Sequence, residues 1–139
     1  MRLLTFTTAF LLSVFCASAQ HTWTDHTRTG GVTVSVQETA CPSGSPDQTL
    51  DYVFIRLKNA NPYKVKASYR LEVYYGDHCA GCDGSPEYFV EVVLNPGETI
   101  SGGCEQTHPI RLDVLVNNPN LQLGYKEFKI TRLQVDRVD

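Results

Sequence analysis

The reactive side chains of this sequence are its cysteines and histidines, and two of the cysteines form a C-x-x-C pair. Cys79 and Cys82 flank an alanine and a glycine, and His78 directly precedes them. Such a pair can form a disulfide, act as a redox dithiol or supply two ligands to zinc. A redox pair usually begins a helix in a βαβ unit, and zinc usually takes a second C-x-x-C. The sequence shows neither pattern, and Asp83 stands where c-type haem attachment needs histidine.

The number of cysteines favours structural disulfides. The chain has five, and Cys16 lies in an N-terminal segment with the features of a signal peptide. The remaining set is even, which is typical of an exported protein with two disulfides. It comprises Cys41, Cys79, Cys82 and Cys104. Pairings that join Cys79 and Cys82 to the two distant cysteines are favoured, because long loops constrain the unfolded chain most. The alternative pairs Cys79 with Cys82 and Cys41 with Cys104.

Residues 1–19 have the pattern of a secretory signal peptide. Arg2 is followed by an apolar run, Leu3–Phe15, and the segment ends in Ala17-Ser18-Ala19. Small residues at these positions direct cleavage after Ala19. The apolar run is too short to span a bilayer comfortably, and no later stretch is long enough. We therefore expect a secreted or periplasmic protein with no integral membrane segment once the signal is removed.

The histidines raise copper binding as an alternative. Cleavage after Gln20 would make His21 the N-terminal residue, and its amine and imidazole could bind copper together with other histidines. Those histidines are His26, His78 and His108. The alanine pattern instead places cleavage before Gln20, and the remaining chain contains no methionine to bind Cu(I). We therefore expect no metal site and no cofactor.

Composition and motifs also argue against nucleic-acid binding and catalysis. The formal net charge is −3, which disfavours phosphate backbones and anionic membranes as main partners. The sequence contains no G-x-S-x-G, H-E-x-x-H or phosphate-loop motif, and its carboxylates show no recognisable acid pair. The sequence thus predicts a non-catalytic protein.

The elements that position these residues are predicted to be strands. Apolar and polar residues alternate with period two in most of the chain after residue 31, which is the pattern of strands with one buried face. The alternating runs lie at 32–37, 53–58, 64–75, 110–116 and 121–135. A slip of phase near Thr131-Arg132 predicts a bulge. Glu87–Leu94 is apolar on both faces except for its glutamates, which suggests a central strand.

Turn residues separate these runs. Asn59-Ala60-Asn61-Pro62 predicts a hairpin loop, and Asn95-Pro96-Gly97-Glu98 has proline and glycine where a type II turn requires them. About seven short strands with frequent turns predict an all-β protein folded as an antiparallel β-sandwich.

This series of strands, the turn at 95–98 and the export signal resemble small secreted immunoglobulin-like or fibronectin-III-like sandwich domains of bacterial exported proteins. The resemblance covers roughly residues 30–136. With the signal peptide at 1–19, the expected organisation is an N-terminal extension at 20–29 and an immunoglobulin-like domain at 30–139. The resemblance implies a binding or structural role.

Two strands carry a possible ligand-binding face. Tyr52, Phe54 and Arg56 share one face of their strand, and three polar or aromatic residues share a face of the next strand: Arg70, Glu72 and Tyr74. If these strands are neighbours, the six side chains could stack against a sugar or bind a protein. The favoured interpretation is that they pair across strands or are covered by another strand, because aromatic residues of strands usually serve packing. The function expected from the sequence is a disulfide-bonded binding or structural module for a protein or carbohydrate ligand. The alternatives are a copper-binding protein and a thiol-disulfide protein.

Overall fold

The structure, a computed structural model, describes residues 22–105, 108–120, 122 and 124–139. The predicted signal peptide, with Cys16, and His21 lie outside the described residues. The strands are β1 (Thr24–Thr29), β2 (Val32–Pro42), β3 (Thr49–Asn59), β4 (Val65–Tyr75), β5 (His78–Ala80), β6 (Phe89–Leu94), β7 (Thr99–Ser101), β8 (Asp113–Asn117) and β9 (Tyr125–Arg137). A short 3₁₀ helix, Pro86–Tyr88, precedes β6. Within the described ranges, no helix has the length and apolar character needed to cross a membrane.

The strands form two antiparallel sheets. In sheet A, β2 lies between β1 and β3, and the other edge of β3 pairs with β7 and β8. In sheet B, β4 is central, with β9 on one side and β5 and β6 on the other. This arrangement confirms the predicted all-β, antiparallel sandwich.

The alternating apolar residues form one core between the sheets. Val53, Ile55 and Leu57 of β3 are 0–2% exposed, and their counterparts on β4 are equally buried. Those β4 residues are Val65, Ala67, Tyr69, Leu71 and Val73. Burial of each large aliphatic side chain contributes about 1.5–3 kcal/mol. Tyr69 is the largest fully buried side chain and lies on the central strand of sheet B.

The described residues form more strands than the roughly seven that the periodicity predicts. Residues 24–29, predicted to lie in an N-terminal extension, form β1 and pair with β2. Strands β5 and β7 have three residues each, too few to produce a recognisable alternation. Short strands of this kind depend on the long strand beside them rather than on their own sequence.

Two local predictions about strand neighbours were wrong. The segment predicted as a central strand is β6, which pairs only with β4 among the described strands and forms an edge of sheet B. The loop at residues 59–62 was predicted to join a hairpin, but β3 and β4 lie in different sheets, so it crosses the sandwich. Both errors arise because period-two alternation identifies a strand without identifying its partner.

A buried asparagine holds the loop at which the chain changes sheets. Asn59 is fully buried, and its Nδ2 donates to the carbonyl oxygens of Tyr63 and Asn95, both at 3.0 Å. Its Oδ1 accepts a hydrogen bond from the backbone N–H of Asn61 at 2.9 Å, and the Asn61 side chain donates to the Gly30 carbonyl at 2.7 Å. These bonds give hydrogen-bond partners to backbone groups at loop positions outside the strands.

The predicted bulge and turn are both present. The β4–β9 register shifts between Ser68 and Arg70, opposite Arg132, whose φ is +55°. A non-glycine residue in this region is uncommon, and such bulges bend a strand and increase its twist. In the turn at 95–98, Gly97 has φ +72° and the N–H of Glu98 donates to the Asn95 carbonyl at 3.1 Å. Both features are those of a type II turn.

Candidate ligand-binding faces

The four described cysteines form two disulfides, Cys41–Cys104 and Cys79–Cys82. The favoured long-range pairing of Cys79 and Cys82 was therefore wrong, and the alternative pairing is present. The reason is topological. Cys79 lies in sheet B, where its strand partner is Tyr74, whereas Cys41 lies in sheet A, where its strand partner is Leu50. The Cα atoms of the two bonded pairs are 5.4 Å and 5.7 Å apart, within the usual range for disulfides.

The C-x-x-C pair closes a tight loop at the end of β5 rather than beginning a helix. Gly81 is buried with φ +90°, and a Cβ there would meet the Leu71 carbonyl oxygen, so this position requires glycine. Arg70 lies beneath the loop, and its guanidinium donates to the Ser85 carbonyl at 3.1 Å. The Cys82 sulfur lies 3.6 Å from the Tyr74 hydroxyl. The disulfide therefore adjoins the polar face of sheet B.

The structure places the six predicted face residues on two different sheets. Tyr52, Phe54 and Arg56 point away from the core on β3, in sheet A, while the other three do so on β4, in sheet B. The single face expected from sequence is therefore divided into two surfaces.

On sheet A, the aromatic part of the predicted face is covered. The Tyr52 and Phe54 rings are stacked with centroids 5.6 Å apart, and Phe54 is only 4% exposed. Gly102 crosses over Phe54, where a Cβ would lie 3.0 Å from the ring. The Cys41–Cys104 disulfide fixes this crossing segment to β2. The Phe54 ring is therefore packed beneath this segment with Tyr52 stacked on it, in line with the interpretation that the sequence favoured.

On sheet B, the predicted residues form a connected polar network. The Glu72 carboxylate accepts hydrogen bonds from the Tyr74 hydroxyl at 3.2 Å and from the Thr131 hydroxyl at 3.0 Å. The ammonium group of Lys129 lies 4.7 Å from the centre of the Tyr74 ring. A hydrogen bond and the charge of Glu127 raise the pKa of Lys129. The contacts of Glu72 and Tyr74 with Thr131 and Lys129 therefore fix these side chains without a ligand.

Two apolar side chains on the same side of sheet B are exposed. Phe89 and Val93 of β6 are 47% and 48% exposed and are the exposed large hydrophobic residues of the described chain. Phe89 pairs with Arg70, whose guanidinium carbon lies 5.9 Å from the ring centre. Val93 pairs with Lys66, which forms a 3.5 Å ion pair with Glu91. We call the outward-facing residues of β4 and β6 on this side the sheet B face: Lys66, Ser68, Arg70, Glu72, Tyr74, Phe89, Glu91 and Val93.

Sequence reasoning missed Phe89 and Val93 because the segment is apolar on both sides apart from its glutamates. A signal was present, since Glu91 lies between them at period two and a glutamate is rarely buried without a partner. The charge of Glu91 therefore marks the outward side of β6.

A small cavity lies at the edge of the core. It lies between the sheets and has a volume of about 130 Å³, below the about 300–1,000 Å³ typical of small-molecule sites. Arg111 closes one side, with its guanidinium carbon 5.2 Å from the centre of the Tyr88 ring. Desolvation raises the pKa of the half-buried Asp113, and the charge of Arg111 acts in the opposite direction.

The described histidines lie apart. His26 of β1 stacks on Phe128 with ring centroids 5.4 Å apart, His78 is exposed on β5, and His108 precedes β8. Within the part of the chain that the structure describes, no group of three or more His, Cys, Asp or Glu side chains is placed to hold a metal ion.

Comparisons with protein-family models, with curated proteins and with solved structures each found no match to this chain. The functional argument therefore depends on the geometry of its surfaces.

Proposed function

We propose that this protein is an exported, non-catalytic binding module whose sheet B face binds a protein partner. The observation that carries the proposal is the pair of exposed apolar side chains, Phe89 and Val93, on the outward side of the edge strand β6. Aromatic residues and arginine are enriched in protein interfaces, and Phe89 lies directly beside Arg70.

Contacts that already fix the side chains of the sheet B face also support a binding function. The guanidinium of Arg70 is held by the Ser85 carbonyl, and Glu72 is held by Tyr74 and Thr131. Side chains that are already fixed lose little conformational entropy when a partner binds. The Cys79–Cys82 disulfide fixes the adjoining loop in the same way.

Export is part of the proposal, and two observations support it. Residues 1–19 have the signal-peptide pattern, and the four described cysteines are all disulfide-bonded. The setting of the C-x-x-C pair does not favour the thiol-disulfide alternative, because the pair lies at the end of β5, whereas redox pairs of this kind usually begin a helix.

We further propose that the sandwich is immunoglobulin-like. Immunoglobulin folds place strands A, B and E in one sheet and C, C′ and F in the other. The observed order fits this scheme if β2 is strand A, β3 is strand B, and β7 with β8 is strand E. In the other sheet, β4 is strand C, β6 is strand C′ and β9 is strand F. Tyr69 of β4 then fills the central core position on strand C, where antibody domains have tryptophan. An experimental structure with β3 and β4 paired in one sheet would contradict this assignment.

The binding proposal is tested by site-specific photo-crosslinking of the exported protein in its native surroundings. A photoreactive phenylalanine analogue replaces Phe89, and the control carries the same group at Ser45, which is exposed in the β2–β3 loop. We expect a discrete protein adduct from position 89 that is absent from position 45. A Val93→Glu change in the same chain should abolish that adduct, whereas Thr49→Glu, at an exposed strand position of sheet A, should not.

Equal adducts from positions 45 and 89, or an adduct that survives Val93→Glu, would contradict a binding role for this face. A glycan array probed with the same protein separates the carbohydrate alternative. Glycan binding that is lost in Val93→Glu would assign the face to a sugar instead of a protein.

A further inference from the structure

We propose that the protein has a second site, independent of the sheet B face, where a groove on the outer side of sheet A binds an anionic oligosaccharide. The groove has a volume of about 290 Å³. Its lining includes three cationic side chains, Arg28, Arg56 and Lys58, and two hydroxyl side chains, Thr33 and Ser35.

The strand register sets this arrangement. Arg28 of β1 lies opposite Thr33 of β2, which lies opposite Lys58 of β3. Neighbouring strands are about 4.8 Å apart, so the backbones carrying the two cations are about 10 Å apart, with the threonine between them. Ser35 and Arg56 form the adjacent row. The cations therefore surround a floor of hydroxyl groups.

A bulge in β1 brings Arg28 to this groove. The β1–β2 register shifts between Asp25 and Thr27, so Asp25 and Arg28 face the same side although they are three positions apart. In a regular strand, residues three apart face opposite sides. Bulges commonly redirect a side chain in this way.

The charges in the groove are not balanced. Asp25 is the one carboxylate in its lining, and it accepts a hydrogen bond from the Ser35 hydroxyl at 2.7 Å. Arg28 and Lys58 are exposed and form no ion pair with the other described residues. Three cations with one carboxylate thus create a local positive potential on a chain whose formal net charge is −3.

The chemistry of the groove favours an acidic sugar over other anions. Guanidinium groups bind carboxylate and sulfate through paired hydrogen bonds. The Thr33 hydroxyl on the floor of the groove can bond to sugar hydroxyls. A volume near the lower limit of about 300 Å³ for small-molecule sites fits a short stretch of a saccharide.

The fluorescence of Trp23 can report ligand binding in this groove. Trp23 is the single tryptophan, and the guanidinium carbon of Arg56 lies 4.6 Å from the centre of its ring. A ligand that engages Arg56 should therefore change tryptophan emission. The titration uses the exported protein with three probes of equal length: a sulfated hexasaccharide, an oligogalacturonate hexamer and neutral maltohexaose.

We expect the two anionic saccharides to change the emission saturably and maltohexaose to leave it unchanged. Affinity should fall as salt is raised, because the contacts are charged and exposed. Arg28→Gln and Lys58→Gln should each weaken binding by up to about fivefold, the range of an exposed ion pair. Lys64→Gln, an exposed lysine before β4, is the matched control and should bind as the wild type does.

Several results would overturn the proposal. These are equal binding of maltohexaose, an equal loss of affinity in Lys64→Gln, or tighter binding of hexaglutamate or single-stranded DNA than of either anionic saccharide. Inorganic sulfate that binds as tightly as the sulfated hexasaccharide would also overturn it. Because the Val93→Glu change lies on the other sheet, its effect on sheet B binding leaves this titration unaltered.

Discussion

Two tyrosines of β4 show how one hydroxyl can stabilise the fold while another does not. The Tyr75 hydroxyl donates to the Leu115 carbonyl at 2.8 Å and so joins the two sheets. The Tyr69 hydroxyl is buried in the core without a hydrogen-bond partner among the described residues, and burial raises the pKa of Tyr69. A buried polar group without a partner loses its hydration and gains no bond in return.

Replacement of each tyrosine by phenylalanine should therefore have different effects. Tyr75→Phe should lower the free energy of unfolding by about 1 kcal/mol, the usual net value of one hydrogen bond. Tyr69→Phe should leave it unchanged or raise it. Urea denaturation of both variants measures the difference. A larger loss in Tyr69→Phe than in Tyr75→Phe would show that the buried hydroxyl has a partner.

Asp113 predicts a pH dependence of stability. Its pKa in the folded chain is raised above the ordinary 3.8 by desolvation, so the folded state binds the proton more tightly than the unfolded state. Stability from this group is then present at low pH and is lost as pH rises from about 3.8 through the folded pKa. Asp113→Asn removes that loss.

We expect Asp113→Asn to be more stable than the wild type at neutral pH, with the difference shrinking below about pH 4. Denaturation at several pH values measures it, and Asp136→Asn, at an exposed position of β9, is the control. A difference that grows as pH falls would contradict the assigned direction.

Residue roles of this kind were only partly predictable. The sequence marked Asn59 as the start of a loop, but its hydrogen bonds to the Tyr63 and Asn95 carbonyls depend on two loops meeting in space. Arg70 was predicted as part of a ligand face, and it does face outward, but its contact with the C-x-x-C loop also depends on folding.

At the scale of elements, the two disulfides differ in the length of chain that they close. Cys41–Cys104 spans a sequence separation of 63 and fixes the segment that covers Phe54. Cys79–Cys82 spans a separation of 3 and fixes one tight loop. In the chain-entropy model, a disulfide stabilises more when it closes a longer loop.

Removal of the two disulfides should therefore have unequal effects. Cys41→Ser with Cys104→Ser should lower the free energy of unfolding by about 4 kcal/mol, and Cys79→Ser with Cys82→Ser by about 2 kcal/mol. Thermal denaturation of both double variants measures the order. A larger loss from the C-x-x-C pair would show that its loop supports the fold beyond its own closure.

Strands were predictable where the alternation of apolar and polar residues extended over many positions. The eleven residues of β4 alternate without interruption, and both the strand and its buried side followed from sequence. The phase slip at Thr131-Arg132 correctly located the β9 bulge. The edge position of β6 did not follow, because periodicity carries no information about which strands are neighbours.

At the scale of the whole molecule, the fold class followed from the sequence, while the surfaces depended on pairing. Because β3 and β4 lie in different sheets, the predicted six-residue face is divided into two surfaces. It leaves a cationic groove on sheet A and a mixed apolar and polar face on sheet B. Opposite outer faces allow the two proposed ligands to bind without competing.

The most direct test of an exported, disulfide-fixed sandwich is a non-reducing peptide map of the protein recovered from outside the cytoplasm. We expect an N-terminal peptide that begins at Gln20, or at its cyclised form, together with two linked peptide pairs and no free thiol. The links should join Cys41 to Cys104 and Cys79 to Cys82. A chain that keeps Met1, a link between Cys82 and Cys104, or free thiols in the native protein would contradict this description.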